Sequence, residues 1–312
     1  MPVVPIIDKC NNYCLMCTNP AAGEWKQSFS FNEIAGRITN FFNGQQEFLE
    51  NYRDSFSLTG GEPTISADLP KLIELIDYFQ KGVSIKCLTN GRMFAYPEYA
   101  RSILKSCVHL SLAIPLHSID GKIHDKITRV QGSFLQTVKG LENIFKYKRS
   151  IHNVEIRFVI HALNYTEIHK MAKFIKKEFP GVSKYVVIFF EVEGQAQKNF
   201  KLLKISYGDV YPYLESLPLS LIEKPELQLF HFPLCVLPYN LYRCAWRTLP
   251  GKDIKFVAAC RSCQVKKFCL GVPLFYSKFV GIKEFKAVGA SLKIKANANP
   301  YNPVKSVKKA YV

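Results

Sequence analysis

Apolar residues up to about residue 192 follow two patterns, short continuous runs and recurrences every three or four residues. The continuous runs are rich in β-branched and aromatic residues, and they predict strands. Six strands are expected on this basis: Val3–Ile7, Ser55–Thr59, Val83–Thr89, His109–Ile114, Val154–Ile160 and Tyr185–Phe190.

The recurring apolar residues predict helices between these strands. Ser30 followed by Glu33 is a capping-box pattern for a helix that ends near Phe42. Further helices are expected over Leu69–Ile76, Glu98–Lys105, Phe134–Tyr147 and Ile168–Ile175. Strand–helix pairs in succession predict an α/β fold with a parallel sheet and helices outside it. Because six pairs are too few for a closed eight-stranded barrel, we expect a partial (β/α)6 TIM-like barrel.

The alternation stops after Glu191. Residues 195–234 contain several prolines and one short helical pattern, Val210–Leu217, which indicates a connecting region. From about Ala287 the chain is basic, and we expect a tail that is flexible at its end. The predicted organisation is a core over residues 1–194, a connecting region with a small cysteine-rich domain over 195–285, and a basic tail over 286–312.

Composition indicates a folded globular protein. Of the 312 residues, 48% are hydrophobic and 13% aromatic, which is far above the level of disordered chains. The sequence contains neither a run of eighteen apolar residues nor a signal peptide, so we expect a cytoplasmic protein without a membrane partner. The formal net charge of +17 favours acidic partners such as an acidic peptide, RNA or an anionic cofactor. The alternative is a lysine-rich surface without a specific partner.

Ten cysteines are many for a cytoplasmic protein, in which disulfides rarely persist. Cys87 and Cys107 stand alone in apolar runs and are expected to be buried thiols. The others form two groups, Cys10, Cys14 and Cys17 near the N-terminus and Cys235, Cys244, Cys260, Cys263 and Cys269 near the C-terminus. Two cysteine-rich ends predict two metal sites.

The N-terminal group directly follows the first predicted strand. Soft thiolate ligands select iron–sulfur clusters, zinc or copper(I). A structural zinc site needs four ligands, whereas a cubane held by three thiolates leaves one iron free for a substrate. Three closely spaced cysteines therefore favour an iron–sulfur cluster over zinc.

Two motifs resemble those of the radical S-adenosylmethionine (SAM) superfamily. The segment from Cys10 to Cys17, CNNYCLMC, is similar to the C-x3-C-x2-C signature of that family. Met16 stands where an aromatic residue is common in the family, and a methionine can pack against an adenine ring. After the second strand, Gly60-Gly61-Glu62-Pro63 resembles the family's GGEP segment. Glycines let the backbone approach a ligand closely, and Glu62 can accept hydrogen bonds from an ammonium group. The resemblance implies that Gly60, Gly61, Glu62 and Pro63 hold the amino group of SAM.

Weaker similarities continue along the chain at the expected carboxyl ends of strands, where such folds place their sites. Thr89-Asn90-Gly91 is similar to a turn that is frequent after the third strand, and Ser118–Phe134 is similar to a segment of peptide-modifying members. The resemblance implies that SAM also contacts Asn90, Ser111, Arg157 and Gly194.

The resemblance implies a 4Fe–4S cluster and SAM as cofactors, with a reductant such as flavodoxin or ferredoxin. In this chemistry the reduced cluster cleaves SAM to a 5′-deoxyadenosyl radical, which takes hydrogen from a substrate carbon. The protein orients the reactants and keeps water and oxygen out.

The C-terminal cysteines resemble the auxiliary-cluster modules, called SPASM or twitch, of radical SAM peptide maturases. Five cysteines imply one auxiliary 4Fe–4S cluster, held by Cys260, Cys263 and Cys269 with Cys235 or Cys244 as the fourth ligand. The alternative is a zinc knuckle, because C-x2-C pairs are common in zinc sites.

Three hypotheses of function follow. The first is maturation of a ribosomally made peptide by a cross-link, thioether or epimerisation, with the His-Xaa-Ser-system maturases as the most similar group. Because the chain begins nine residues before Cys10, we expect a separate peptide-recognition protein or the basic C-terminal region to bind the leader. The second is modification of RNA or a small metabolite, and the third is a non-enzymatic zinc-binding module.

No residue is assigned a catalytic role on sequence alone. Cys107 and Tyr239 are candidates for a hydrogen-atom donor, but no pattern favours either. Six histidines are expected to be packed or surface residues: His117, His124, His152, His161, His169 and His231.

Overall fold

The computed structural model describes residues 2–20, 23–48, 55–79, 82–106, 109–289 and 292–309. Eight parallel strands form one sheet in which every strand pairs with its neighbours in the sequence, in the order β1 to β8. The strands are β1 Val3–Pro5, β2 Ser55–Thr59, β3 Ser84–Leu88, β4 Leu110–Pro115, β5 Asn153–Ile160, β6 Lys184–Phe189, β7 Glu226–Phe230 and β8 Ala245–Trp246. Since β1 and β8 form the two edges of this sheet, the predicted open, partial barrel is confirmed.

Helices connect the strands, as the apolar recurrences predict. The first six are α1 Phe31–Phe42, α2 Leu69–Phe79, α3 Pro97–Ser106, α4 Gly121–Thr128, α5 Ser133–Tyr147 and α6 Ile168–Glu178. The next four have nine residues or fewer: α7 Gly194–Lys198, α8 Phe200–Leu203, α9 Tyr207–Glu215 and α10 Leu274–Phe279. Helix α1 begins where the sequence predicts, because the Ser30 hydroxyl accepts a hydrogen bond from the Glu33 N–H at 3.4 Å. None of the described helices is long and apolar enough to cross a membrane.

The two faces of the sheet differ in polarity. Ile85, Leu112 and Ile156 occupy alternate positions of β3, β4 and β5, and all three are buried in the core. On the opposite face the pairing register brings Lys86 beside Ser111, and Glu155 bonds both Lys86 at 3.1 Å and Arg157 at 2.7 Å. Because successive side chains of a strand point to opposite faces, this barrel has an apolar outside and a polar inside.

The barrel is larger than the sequence predicts. Strand β7 comes from the segment expected to be a connection and β8 from the segment expected to be a cysteine-rich domain, so the parallel sheet continues past residue 194. Helix α9 lies in the same segment as β7 and starts earlier than expected, because Ser206 and Asp209 form a capping box before it.

The basic C-terminal segment is also ordered over residues 292–309. It forms an antiparallel hairpin of β11 Leu292–Ala296 and β12 Val304–Lys309, after the short pair β9 Ile254–Lys255 and β10 Val272–Pro273. The hairpin loop docks beside β8, where the Arg247 N–H donates to the Tyr301 carbonyl at 2.7 Å. Residues 292–309 therefore form a hairpin, and residues 310–312, at the end for which the sequence predicts flexibility, lie outside the described part of the chain.

Candidate functional site

The loop that carries Cys10, Cys14 and Cys17 leaves the carboxyl end of β1 and runs against the end of β2. The Gly61 N–H donates to the Ile7 carbonyl at 2.7 Å, and the Glu62 N–H donates to the Lys9 carbonyl at 2.8 Å. A Cβ on Gly61 would overlap with the Lys9 carbonyl and would lie 2.7 Å from the Asp8 oxygen. The two glycines thus allow a close approach of the chain to itself, next to the first cysteine.

The carboxylate of Glu62 joins the ends of β2 and β3. It accepts hydrogen bonds from the Thr64 N–H and hydroxyl at 3.0 and 2.5 Å, from the Thr89 hydroxyl at 2.6 Å and from the Asn90 N–H at 2.6 Å. Glu62 is only 2% exposed, and burial raises its pKa although these four donors oppose the shift. The Glu62 carboxylate, which was expected to accept hydrogen bonds from a ligand ammonium, is therefore already bonded to residues at the ends of β2 and β3.

Asn90 and Arg92 hold the first half of the cysteine loop. The Asn90 amide donates to the Asn11 side chain at 2.6 Å, and the Arg92 guanidinium donates to the Asn12 side chain at 2.8 Å and to the Asn11 carbonyl. A third hydrogen bond, from Arg92 Nε to the Gln136 side chain at 2.7 Å, fixes the guanidinium to α5. Asn90 thus lies after β3, as the sequence predicts. Its side chain bonds Asn11 of the cysteine loop, whereas the resemblance implies a contact with SAM.

The second half of the loop is held by α4 and by the turn after β6. The Leu15 N–H donates to the carbonyl of Ile127 at 2.9 Å, near the end of α4. The Gln195 N–H donates to the Cys17 carbonyl at 2.8 Å. A Cβ on Gly194 would lie 2.8 Å from that same carbonyl, and Gly194 has a φ of 52°. The segment Ser118–Phe134 and the Gly194 turn, both singled out in the sequence, therefore border the three cysteines.

The three thiols open onto a pocket of about 280 Å³. Its wall consists of Asp8, Cys10, Asn12, Tyr13, Cys14, Cys17, Asn19, Pro20, Gly61, Arg129 and Gln195. A second cavity, of about 550 Å³, shares Asn19, Pro20 and Gln195 with this wall and continues past Gly194. The two cavities together provide a cleft that starts at the cysteines.

Burial raises the pKa of all three thiols, that of Cys10 to about 11. In Cys10 and Cys14 the charges of the neighbouring cysteines add to this effect, so the thiols lie within electrostatic reach of one another. Metal ligands of this type must be deprotonated, and a bound metal ion supplies the positive charge that does so. The donor set of three soft sulfurs around one pocket fits an iron–sulfur cubane with one open corner.

Met16 does not line the pocket, whereas Tyr13 of the same loop does. Met16, expected beside a ligand, is 7% exposed and packs into the hydrophobic core. Tyr13 is 68% exposed and lines the pocket. An aromatic ring is thus available at the pocket, but from a different position of the loop.

The other predicted contacts of SAM lie on β4, on β5 and directly after Glu62. Ser111 is the second residue of β4 and lies near the amino end of the sheet, opposite the edge at which the cysteine loop starts. Arg157 is on β5, with its guanidinium bonded to Glu155 and 6.0 Å from the ring centroid of Phe230. Pro63 is buried and begins the short helical turn Pro63–Ile65. The structure does not bring Ser111 together with the cysteines.

Four of the C-terminal cysteines form a second group. Burial raises the pKa of Cys235 to about 12. The charges of Cys269, Cys260 and Cys263 add to this shift. Backbone N–H groups point at two of the sulfurs, from Leu234 to Cys269 at 3.3 Å and from Val288 to Cys263 at 3.4 Å. Hydrogen bonds to cluster sulfurs are a common way of tuning an iron–sulfur site.

Cys244 lies apart from this group. It is 5% exposed at the start of β8, and its electrostatic partners are Arg243 and Glu226. Of the two candidates for a fourth ligand, the structure therefore brings Cys235 to Cys260, Cys263 and Cys269. Within the described residues, no three His, Cys, Asp or Glu side chains lie close enough together to hold a single metal ion.

Several residues at the first site are not predicted from the sequence. Arg129 ends α4 in a left-handed conformation, with a φ of 57°, and its side chain lines the pocket. Arg92 follows the predicted Thr89-Asn90-Gly91 turn directly, which is the signal that could have identified it. Tyr239, a candidate hydrogen-atom donor, lies under the C-terminal hairpin, with the Lys309 amine 5.4 Å from its ring centroid. Cys107 lies outside the described residues.

The chain belongs to the radical SAM superfamily, whose family model matches residues 4–175, more than half of the chain. Members of this family use a 4Fe–4S cluster and SAM, which agrees with the pocket of three thiols. The cluster supplies the electron that cleaves SAM to a carbon radical.

Curated relatives include GTP 3′,8-cyclases. The chain is 24% identical over 190 residues to that of Nautilia profundicola, which covers 61% of this chain and 56% of the relative. It is 36% identical over 153 residues to a probable GTP 3′,8-cyclase of Aeropyrum pernix, which covers 46% of this chain and 39% of the relative. The chain thus spans about half the length of these relatives or less.

Solved structures with the same fold include SuiB of Streptococcus suis bound to S-adenosylmethionine. The TM-score is 0.54 at 16% identity, over 73% of this chain and 48% of SuiB. SuiB bound to its precursor peptide SuiA gives a TM-score of 0.52 at 15% identity, over 69% of this chain and 43% of SuiB. These similarities establish the fold.

Proposed function

We propose that this chain reductively cleaves SAM at a 4Fe–4S cluster held by Cys10, Cys14 and Cys17 and uses the resulting radical to abstract hydrogen from a substrate. The single observation that carries the proposal is the convergence of these three thiols on one pocket at the carboxyl edge of a parallel sheet. An iron left without a protein ligand can chelate the amino and carboxylate groups of SAM.

In this proposal the residues around the pocket bind and orient SAM. Arg129 is a cation in the pocket wall and suits the cofactor's carboxylate. Because the Glu62 carboxylate is already bonded to Thr64, Thr89 and Asn90, we assign it to holding the strand ends that support the loop. Gly60 and Gly61 then act by bringing the backbone of β2 against the loop.

Cys235, Cys260, Cys263 and Cys269 hold an auxiliary 4Fe–4S cluster in this proposal. Their mutual electrostatic reach and the N–H groups aimed at two of the sulfurs support it. An auxiliary cluster serves a reaction that must dispose of an electron after hydrogen abstraction. An acidic flavodoxin or ferredoxin suits the basic chain as the external reductant.

The substrate class that we favour is a ribosomally made peptide, modified by a cross-link, a thioether or epimerisation. The four-cysteine group and the position of Ser118–Phe134 beside the loop support it, because both features resemble peptide maturases. SuiB, which shares the fold, has been solved with a precursor peptide. A separate recognition protein or the basic hairpin β11–β12 would bind the leader.

A small metabolite is the second candidate substrate. The specific observation in its favour is that curated relatives are named GTP 3′,8-cyclase. The net charge of +17 also suits a triphosphate.

Anaerobically reconstituted protein, incubated with SAM and dithionite, tests the proposal through the release of 5′-deoxyadenosine. We expect release by the wild type and none from Cys14→Ser, whereas Cys87→Ala, a buried cysteine on β3, should retain it. GTP and synthetic forms of any short peptide that a neighbouring gene encodes are then supplied as substrates, and mass spectrometry identifies a modified product. Release of no 5′-deoxyadenosine by iron-loaded wild type would refute the proposal.

A further inference from the structure

The buried His231 and the half-buried Glu191 form an acid–imidazole pair beyond the carboxyl ends of β6 and β7. The His231 Nε2 lies 3.1 Å from Glu191 Oε1, and His231 is 8% exposed. Glu191 follows β6 by two residues and precedes the Gly194 turn that contacts Cys17. His231 follows β7 directly and precedes Cys235 by four residues. The pair therefore lies on the two segments that lead to the two cysteine groups.

The backbone of His231 is held in an uncommon conformation. Its φ of 68° lies in the left-handed region, which few non-glycine residues adopt. The Tyr207 hydroxyl donates to the His231 carbonyl at 2.7 Å, and the ring packs 6.4 Å from that of Phe275. Such conformations persist only where the surroundings enforce them, and they are concentrated at functional sites.

The hydrogen bonds of the ring decide which nitrogen carries the proton. His231 Nδ1 lies 2.9 Å from the Phe189 carbonyl, which can only accept, so Nδ1 is the donor. In a neutral ring Nε2 is then an acceptor, and it faces Glu191 Oε1 at 3.1 Å. Two lone pairs at this distance repel each other unless a proton lies between them. The Nε2···Oε1 contact is therefore a site for one shared proton.

The surroundings favour the neutral form of both partners. Burial, aided by the charge of Asp253, raises the pKa of Glu191 to about 7. Burial also lowers the pKa of His231 to about 4; the Phe189 carbonyl opposes this shift, and the charge of Arg157 adds to it. Further charged groups nearby are Glu193, whose own pKa is raised mainly by burial and in part by Glu191 and Asp253, and Lys252, which opposes that shift. A proton shared at Oε1 thus exchanges with solvent near neutral pH, where a general base is most effective.

We propose that Glu191 and His231 form the proton-exchange site of this enzyme, accepting a proton from a substrate held between the two cysteine groups. The inference rests on the proposed function. When a substrate carbon radical forms a bond to a nucleophile X, the X–H bond breaks and one proton and one electron leave. The C-terminal cysteines would hold the iron–sulfur cluster that takes up the electron, and the fraction of Glu191 that is a carboxylate at neutral pH would accept the proton at Oε1, where His231 Nε2 shares it.

Infrared spectroscopy of the reconstituted wild type and of Glu191→Gln tests the site without a substrate. We expect a protonated-carboxyl band that is absent from Glu191→Gln and that disappears with a midpoint near pH 7. Asp253→Asn should move this midpoint to lower pH, because removal of a neighbouring negative charge stabilises the carboxylate. Glu226→Gln, at the amino end of β7, is the matched control and should leave the band unchanged. A wild type without the band, or a midpoint that Asp253→Asn does not move, overturns the proposal.

The second measurement is the kcat and KM of substrate turnover, with whichever substrate the wild type modifies. Glu191→Gln should lower kcat by about 10²-fold or more with little change in KM, because it removes the proton acceptor. His231→Asn keeps a residue type that tolerates positive φ but removes Nε2, and it should lower kcat in the same direction. A kcat within about twofold of wild type in both variants overturns the proposal. Failure of the wild type to release 5′-deoxyadenosine refutes the proposed function instead, and the infrared result decides on the pair independently.

Discussion

Replacement of Gly61 by alanine tests how the sheet positions the cysteine loop. A Cβ at this position would overlap with the Lys9 carbonyl, 2.5 Å from its carbon, and would lie 2.7 Å from the Asp8 oxygen. Real Cβ atoms keep at least about 3.0 Å from such atoms, so something must shift. Because all these atoms belong to the backbone, no side-chain rotation can relieve the overlap. The segment Ile7–Lys9 must move away from β2.

The free-energy cost of this displacement can be estimated from the contacts that it disturbs. It weakens the bonds from the Gly61 N–H to Ile7 and from the Glu62 N–H to Lys9, each worth about 0.5–1.5 kcal/mol net. Steric overlap in a close-packed region adds about 1–3 kcal/mol. We therefore expect Gly61→Ala to lower the free energy of unfolding by about 2–5 kcal/mol. Cys10 follows Lys9 directly, so the displacement should also lower the iron bound at the first site.

Urea unfolding of the iron-free protein measures the stability, and iron analysis after reconstitution measures the site. Gly36→Ala is the matched control, because Gly36 lies inside α1 with nothing near its missing Cβ. This change should stabilise the protein by about 0.5–1 kcal/mol, the opposite sign. If Gly61→Ala matches the wild type in both measurements, the loop does not depend on the close approach, and the reasoning is wrong.

Three further changes probe other parts of the structure. Cys235→Ser should lower the iron content from about eight to about four atoms per chain, whereas Cys244→Ser should leave it near eight; the reverse result would assign the fourth ligand to Cys244. Asp125→Asn should destabilise the protein at neutral pH by about 1–2 kcal/mol, because the carboxylate accepts the N–H groups of Gly132 and Phe134 at 2.6 and 2.8 Å. Burial acts to raise the pKa of Asp125, but the hydrogen bonds from Phe134, Ser133 and Gly132 outweigh burial, so the pKa is lowered. The stability that the Asp125 carboxylate contributes is therefore present above about pH 4 and is lost as pH falls through the pKa of the folded state. Urea midpoints of wild type and variant should converge in acid, and a difference independent of pH would contradict this account. Glu62→Gln places an amide among the donors from Thr64, Thr89 and Asn90 and should cost about 1–3 kcal/mol, whereas Glu142→Gln, exposed on α5, should change the urea midpoint little.

The first six strands were predictable because each is a short run rich in β-branched and aromatic residues. Strands of a parallel sheet are covered on both faces, so the local sequence carries most of the signal. Strand β8, Ala245–Trp246, has only two residues, which is too short for any period to be visible. It exists because Ala245 and Trp246 pair with Leu229 and Phe230, and this pairing depends on the tertiary structure rather than on the local sequence.

The site shows the same division between local and tertiary signals. The spacing of Cys10, Cys14 and Cys17 predicts their convergence, since a loop of eight residues cannot separate them far. The glycine pair predicts a close backbone approach but not its partner, which is the residue pair Ile7 and Lys9. No spacing rule separates Cys235 from Cys244. The choice follows from β8, which draws Cys244 to the sheet edge and leaves Cys235 near Cys269.

The relative position of the two cysteine groups follows from adjacent strands. The turn after β6 contacts Cys17 through Gly194 and Gln195, and the segment after β7 reaches Cys235 within five residues. Neighbouring parallel strands lie about 4.8 Å apart, so the sheet fixes the separation of these two segments more firmly than any loop contact does. The Glu191–His231 contact joins the same two segments directly. A change that shifts β6 against β7 should therefore alter both cysteine groups and the acid–imidazole pair together, whereas a change in β3 should reach only the first group, through Asn90 and Arg92.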